Sequence, residues 1–363
     1  MIHDDIDFLP LQMDADERAY YEKNKITVNK QISAVIRQAE QQAKLDKCIY
    51  CGTPVTSFCN SHSVPQFCLR RIAENGKLLY ANSLIDLPYL KEEQGVKQAG
   101  TFQIICNKCD SRIFQQYEDP TAYDATPTGQ VLAQIAMKDH LQMIAKRLQE
   151  RELYRLLAAA NLMFLLFGAR QQQRIIDLDL GEHQCAFMRA KVGAMGKHDK
   201  YYKLIFYRKL CYTVPVAFQG DITMICDLEG KVINDTFNTD NRYRTESIHI
   251  AIFPLETESV VFAFVDSRCK RYRKFEEQLK QLELDDQLAT ILYIVMSYSE
   301  NVFYSKTLSL LFQTNEGLAA VSRKNSTALA DRPDADLLSA ANIEYDLSGR
   351  SCIPNLLLPE YAV

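Results

Sequence analysis

The sequence predicts an α+β chain: a small cysteine-stapled module near the N-terminus, a helical segment, then a larger, mostly antiparallel α+β domain. Three observations predict it. Two Cys-x-x-Cys pairs, Cys48/Cys51 and Cys106/Cys109, bracket residues 52–105. Gln130 to Phe167 carries apolar residues at helical period, with Ile135, Leu141, Ile144, Ala145 and Leu148 on one face. From Cys185 onward the apolar segments become short, β-branched and aromatic, the composition of strands.

Taken in order, residues 1–46 read as an acidic arm and a leading helix. Asp4, Asp5, Asp7, Asp14, Asp16 and Glu17 face only Arg18 in charge, whereas Asn29–Asp46 spaces Ile32, Val35, Ile36, Ala39 and Ala43 by three and four. Residues 47–125 form the cysteine module. Within it Pro65 opens a short helix that Gly76 stops, and a second helix starts near Cys106 and ends at Asp119, because the residue before Pro120 avoids helical geometry. The loop-like YEDPTAYDATPTG places a boundary between residues 120 and 130.

Residues 126–312 form the α+β domain. Gly168 is a helix stop, and CAFMRAKV, YYKLIFYRKL, TVPVAFQ, ITMICD, KVIND, IHIAIFP and SVVFAFV read as strands, with LEG and LETE as hairpin turns. A further helix is expected from Arg273 to Ser297. Residues 313–363 are a mixed tail whose polar part, Ser322–Asp336, is expected to be poorly ordered.

Composition narrows the function classes. With 42 basic and 46 acidic residues the net charge is −4, which speaks against a generic polybasic nucleic-acid binder. Charge is uneven, however: Arg189, Lys191, Lys197, Lys200, Lys203, Arg208 and Lys209 cluster against Asp199. The start MIHDDIDFLP is acidic and lacks the apolar run of a secretory signal. The most apolar run, Leu156–Phe167, falls short of the ~20 residues a spanning helix needs, so a buried helix is expected and no membrane association. Cysteines outside the two pairs are scattered, as reduced thiols of a cytoplasmic protein would be.

Two Cys-x-x-Cys turns each present two thiolates to one ion, the ligand set of a structural tetrahedral Zn²⁺ site. Cys48, Cys51, Cys106 and Cys109 are therefore the expected zinc ligands. His62, in His-Ser-Val-Pro between them, is not needed as a fifth ligand and is left for chemistry.

The series CIYC, His62-Ser-Val-Pro65 and IICNKCD resembles the zinc-stapled branch of the HNH (ββα-metal, treble-clef) endonucleases over roughly residues 45–119. The resemblance implies that His62 is the general base that deprotonates the attacking water, a task suited to an imidazole near neutral pH. It implies that Asp110 stands where the family has its third histidine, as a ligand of a catalytic Mg²⁺ or Mn²⁺. The chain departs from the pattern at Ser61, which replaces the acid before the base, and in the central asparagine that orients the base in the family, which is not identified here: Asn82 is a candidate only by lying between the two halves. On a straight helix Glu118 would lie about 12 Å above Asp110, too far to share an ion with it.

Weaker signals stand beside these. Arg112 and Lys108 are candidates for phosphate contact, and SRCKRYRKF offers Arg268, Lys270 and Arg271 among aromatics, a pattern that can track a nucleic-acid backbone. Asp221 with Glu229-Gly230-Lys231 faintly resembles another nuclease arrangement, but the glycine marks a turn. Cys59 is an alternative zinc ligand. His3, His140, His183, His198 and His249 are isolated in sequence, so core or surface roles are expected. The expected function is a metal-dependent HNH-like endonuclease cutting DNA or RNA, such as a microbial defence or toxin-like effector, with a protein partner or regulator on the larger domain. The alternative is a non-catalytic zinc treble clef that binds nucleic acid or a protein.

Overall fold

A computed structural model describes residues 15–82, 89–159, 169–196, 200–321, 324 and 337–363. Helix α1 (Ala15–Gln42) starts well before Asn29 and leads into the cysteine module. The module contains β1 (Ser61–His62), α2 (Gln66–Ile72), β2 (Lys77–Asn82), β3 (Tyr89–Gly95), β4 (Thr101–Phe102) and α3 (Asn107–Ile113). Two long helices follow, α4 (Gly129–Ala159) and α5 (Ala169–Ala194). Strands β5 (Tyr202–Leu210), β6 (Val216–Ile222), β7 (Ile248–Pro254) and β8 (Ser259–Asp266) come next. Helices α6 (Arg273–Gln281) and α7 (Leu284–Tyr298), strand β9 (Val302–Tyr304) and short helices α8 (Ser309–Thr314), α9 (Glu316–Val321) and α10 (Leu337–Glu344) complete the α-helices and strands among the described residues.

Seven strands form one antiparallel sheet in the order β3-β2-β9-β6-β7-β8-β5, and β1 pairs with β4 in a separate two-stranded ribbon. Strands β2 and β3, which lie between the two cysteine pairs, are thus part of the same sheet as the C-terminal half. Both faces of the sheet are covered, which is why β7 and β8 read as nearly continuous apolar runs. Ala251, Phe253, Phe262 and Phe264 face the layer of α4, α5 and the cysteine module. Ile250, Ile252, Val261 and Ala263 face α6 and α7.

Several expected elements differ. Cys185–Val192 is not a strand but lies within α5, where Leu180, Phe187, Ala190 and Ala194 recur at helical spacing and bury one stripe. KVIND forms only an isolated bridge between Cys226 and Val232 around a turn at Gly230, whose φ is +75°. The helix expected over Arg273–Ser297 breaks at Leu282–Glu283, and the Gln287 amide donates to the carbonyls of Leu279 (3.1 Å) and Leu282 (3.0 Å) that the break exposes. Gly168 and most of Leu156–Phe167 and of Ser322–Asp336 lie outside the described residues. Among those described, no helix is long and apolar enough to cross a membrane.

Candidate metal centre and its neighbouring imidazole

The two knuckles meet because backbone hydrogen bonds join their segments: the Ile49 amide donates to Ile104 (3.1 Å) and that of Cys59 to Ile105 (2.9 Å). The first knuckle closes through the Gly52 amide on the Cys48 carbonyl, with Gly52 at φ +71°, a conformation glycine adopts without strain. The second opens α3, so Cys109 and Asp110 both donate backbone N–H to Cys106. As a result the sulfurs of Cys48, Cys51, Cys106 and Cys109 all lie within 4.8 Å of one another. A zinc tetrahedron with bonds of about 2.3 Å has sulfur–sulfur edges of roughly 3.8 Å, so the cluster fits that ion. The Cys106 amide also points at Cys48 Sγ (3.4 Å), a contact that favours a thiolate. Without metal, hydrogen bonds from Thr53 bring the exposed Cys51 thiol down to about 6, whereas burial pushes Cys48 and Cys109 up. Cys59 is not in the cluster; its thiol faces Asp110 Oδ2 at 3.4 Å.

His62 does not belong to the cysteine cluster either. It sits half-buried at the end of β1, and its Nε2 is 3.1 Å from the Val96 carbonyl. A carbonyl only accepts, so Nε2 carries the proton and, in the neutral ring, Nδ1 is the bare nitrogen. Burial lowers its pKa, outweighing the Val96 carbonyl, which supports the neutral form. Orientation of the ring, expected from an asparagine, thus comes from a main-chain oxygen. Asn82 ends β2 opposite Tyr89, and its side chain lies outside those described.

Asp110 is buried, and its surroundings differ from those a catalytic cation needs. Lys138, fully buried on α4, places Nζ 3.0 Å from Asp110 Oδ1, 3.2 Å from Glu118 Oε1 and 2.7 Å from Ser61 Oγ. Ser61 in turn donates to Asp110 Oδ1 at 2.5 Å. The ammonium also lies 3.8 Å from the centre of the Phe114 ring, a cation–π contact. Burial raises the Asp110 pKa most, but the Lys138 charge together with the hydrogen bonds from Ser61, Lys138 and Cys59 outweighs it and holds the carboxyl low. Burial raises Glu118 despite the same charge.

Glu118 reaches this cluster because α3 does not run to Asp119. It stops at Ile113, and the chain turns through Phe114 and Tyr117, whose buried rings pack edge to face at 5.7 Å. The Tyr117 amide is held by the Gln134 side chain on α4 at 3.0 Å. Two carboxylates that a straight helix would separate therefore share one ammonium. With the Lys138 ammonium seated between them, the residues as arranged do not fit Mg²⁺ or Mn²⁺ at Asp110.

The remaining candidates are dispersed. Arg112 is exposed on α3, beside Tyr50. Arg268 is paired with Asp266 at 3.0 Å, and Arg271 donates to Asn234 Oδ1 (2.9 Å) and packs over Tyr243. Lys270 is exposed. The basic cluster near residue 200 is largely tied within the fold: Arg189 to Asp266, Lys191 to the Tyr50 carbonyl, Lys203 to Glu276 and Lys209 to Glu258. Glu229 and Lys231 pair across their exposed turn (2.7 Å), away from Asp221 on β6. His140, His183 and His249 are not isolated; they gather around one cavity with Asp221. His3 and His198 lie outside the described residues.

No family model matches the chain, and neither a curated protein nor a solved structure matches it. The likeness to the HNH endonucleases rests on the motif alone.

Proposed function

We propose that the cysteine module is a zinc-stapled, HNH-like head that hydrolyses nucleic-acid phosphodiester bonds, with His62 as general base. The observation that supports this reading is the state of His62: beside four cysteines that suit zinc, it is free of them, and Val96 aims it with Nδ1 unprotonated. A base needs that nitrogen bare and within reach of a water. Zinc would serve as a staple, contributing folding free energy and no step of the reaction. Lys138 stands near the base, but it is buried and paired with Asp110 and Glu118, so it neither touches a phosphate nor supplies a net positive charge there. No step is assigned to a divalent ion at Asp110. The larger domain would present the target.

The same ammonium favours a second reading, a module that holds nucleic acid or a protein and cuts nothing, because it already occupies the place of a cation beside Asp110. An assay with purified full-length protein separates the two. The nuclease reading expects cleavage of single- or double-stranded DNA or RNA that His62→Ala abolishes with zinc content unchanged. Retarded but intact nucleic acid, under Mg²⁺, Mn²⁺ or chelator alike, supports the second reading and removes the first.

A further inference from the structure

The sheet face under α4 and α5 carries a second constellation, remote in sequence from the cysteines. Asp221 on β6 and His249 on β7 are direct cross-strand partners, and both point to the face shared with Ala217 and Ala251. Above them α4 contributes His140 and α5 contributes His183. His140 Nδ1 and His183 Nδ1 are 3.3 Å apart, and Asp221 Oδ2 lies 3.8 Å from the first and 3.6 Å from the second. The Asp221 side chain is 3% exposed, and its Oδ1 accepts no hydrogen bond. A buried carboxylate oxygen without a donor, in a group facing two ring nitrogens, is an expensive arrangement for a protein to keep unless a cation completes it.

We infer that His140, His183 and Asp221 form a site for a divalent transition metal ion, with an open coordination position facing a cavity. The triangle has the right size: a point about 2.1 Å from all three atoms exists, the length of zinc bonds to imidazole and carboxylate. Two imidazoles in a three-ligand set select an ion of the zinc, copper, iron or nickel kind over calcium or magnesium. Three protein ligands leave a position for water or substrate, the pattern of a reactive rather than a closed site. That position faces a cavity of about 660 Å³, lined also by Thr223, Ser247, His249 and Arg268. Beside it, His249 Nδ1 is 2.8 Å from Asp139 Oδ2, and Asp139 Oδ1 accepts from Gln219 at 2.8 Å. That chain fixes the His249 ring, which stacks on Phe264 with 4.7 Å between centres.

The test is a zinc count on the full-length chain saturated with zinc and freed of excess, with X-ray absorption at the zinc edge to read the ligands. The wild type should hold about two zinc ions, one in an all-sulfur shell and one bound by nitrogen and oxygen. Asp221→Asn, nearly isosteric, and His183→Gln, near the cavity rim, should each lose the nitrogen/oxygen-bound ion and keep the sulfur-bound one. Either variant decides if the other fails to fold. A wild type with sulfur-bound zinc alone, or a folded variant that keeps the second ion, overturns the inference.

Discussion

Lys138 and Asp110 form a buried ion pair, Nζ to Oδ1 at 3.0 Å, that joins α4 to the first turn after the second cysteine knuckle. Glu118 and Ser61 complete the cage around the ammonium. The pair ties the module to the long helix that also packs under the sheet. It also occupies the place where the motif leads one to expect a catalytic cation.

Removing the ammonium should therefore be severe. Lys138→Met leaves the buried Asp110 beside a partly exposed Glu118 without a counter-charge, a loss of about 3 kcal/mol. Chemical denaturation of the variant measures it. Adding Asp110→Asn and Glu118→Gln to Lys138→Met should recover most of the loss, because the uncompensated charges are then gone.

Zinc removal should act on the module first. Cys109→Ser, or a strong chelator, should release the metal and expose the core around Cys48, Ile104 and Ile105, since binding and folding of such a site are one equilibrium. Proteolysis mapped along the chain should show new cuts in residues 47–119. A module that stays resistant with its zinc gone contradicts the staple.

The lowered pKa of His62 sets a pH profile for any cleavage. A general base works deprotonated, and a depressed pKa keeps it so below its ordinary value of 6.5. The rate should stay flat through neutral pH and fall only in more acidic solution. A decline that already begins above pH 7 would assign the base to another group.

Acid should destabilise the fold partly through Glu150. Burial works to raise this carboxyl, but Arg147 (2.5 Å) and Lys146 (3.6 Å) outweigh it and hold its pKa below the usual 4.5. A depressed folded-state pKa gives stability that is fully present above the unfolded value and is lost as pH falls through the folded one. Tm should drop as pH falls from about 5, and Glu150→Gln should have a lower Tm at neutral pH with a shallower acid slope.

Gly100 is a local test of how β1 is placed. Its φ is +61°, and a Cβ there would come within 2.4 Å of Ser63 Oγ and 2.6 Å of the Phe303 ring. Gly100→Ala should cost more than about 1 kcal/mol, read as a lower denaturation midpoint.

The four cysteines and the uncoordinated His62 were legible because their chemistry is set by spacing within a few residues. The Lys138 cage was not. It needs α3 to stop at Ile113, where no proline or glycine signals a break; the cause is burial of Phe114 and Tyr117 against α4. The His140/His183/Asp221 group was hidden by sequence separation: its members come from α4, α5 and β6, and only the packing of the helices on the sheet brings them together. Cys185–Val192 misled because a short run of Phe, Met and Val has the composition of a strand, and only the stripe from Leu180 to Ala194 shows the helix.

The proposed role of His62 as a base beside a zinc staple is read from the single-turnover cleavage rate of an oligonucleotide by zinc-loaded wild type and by His62→Asn, with zinc content measured on the same samples. The rate should fall about 100-fold or more with equal zinc. Equal rates in the two proteins, or no cleavage by the wild type on any nucleic acid, would rule that role out.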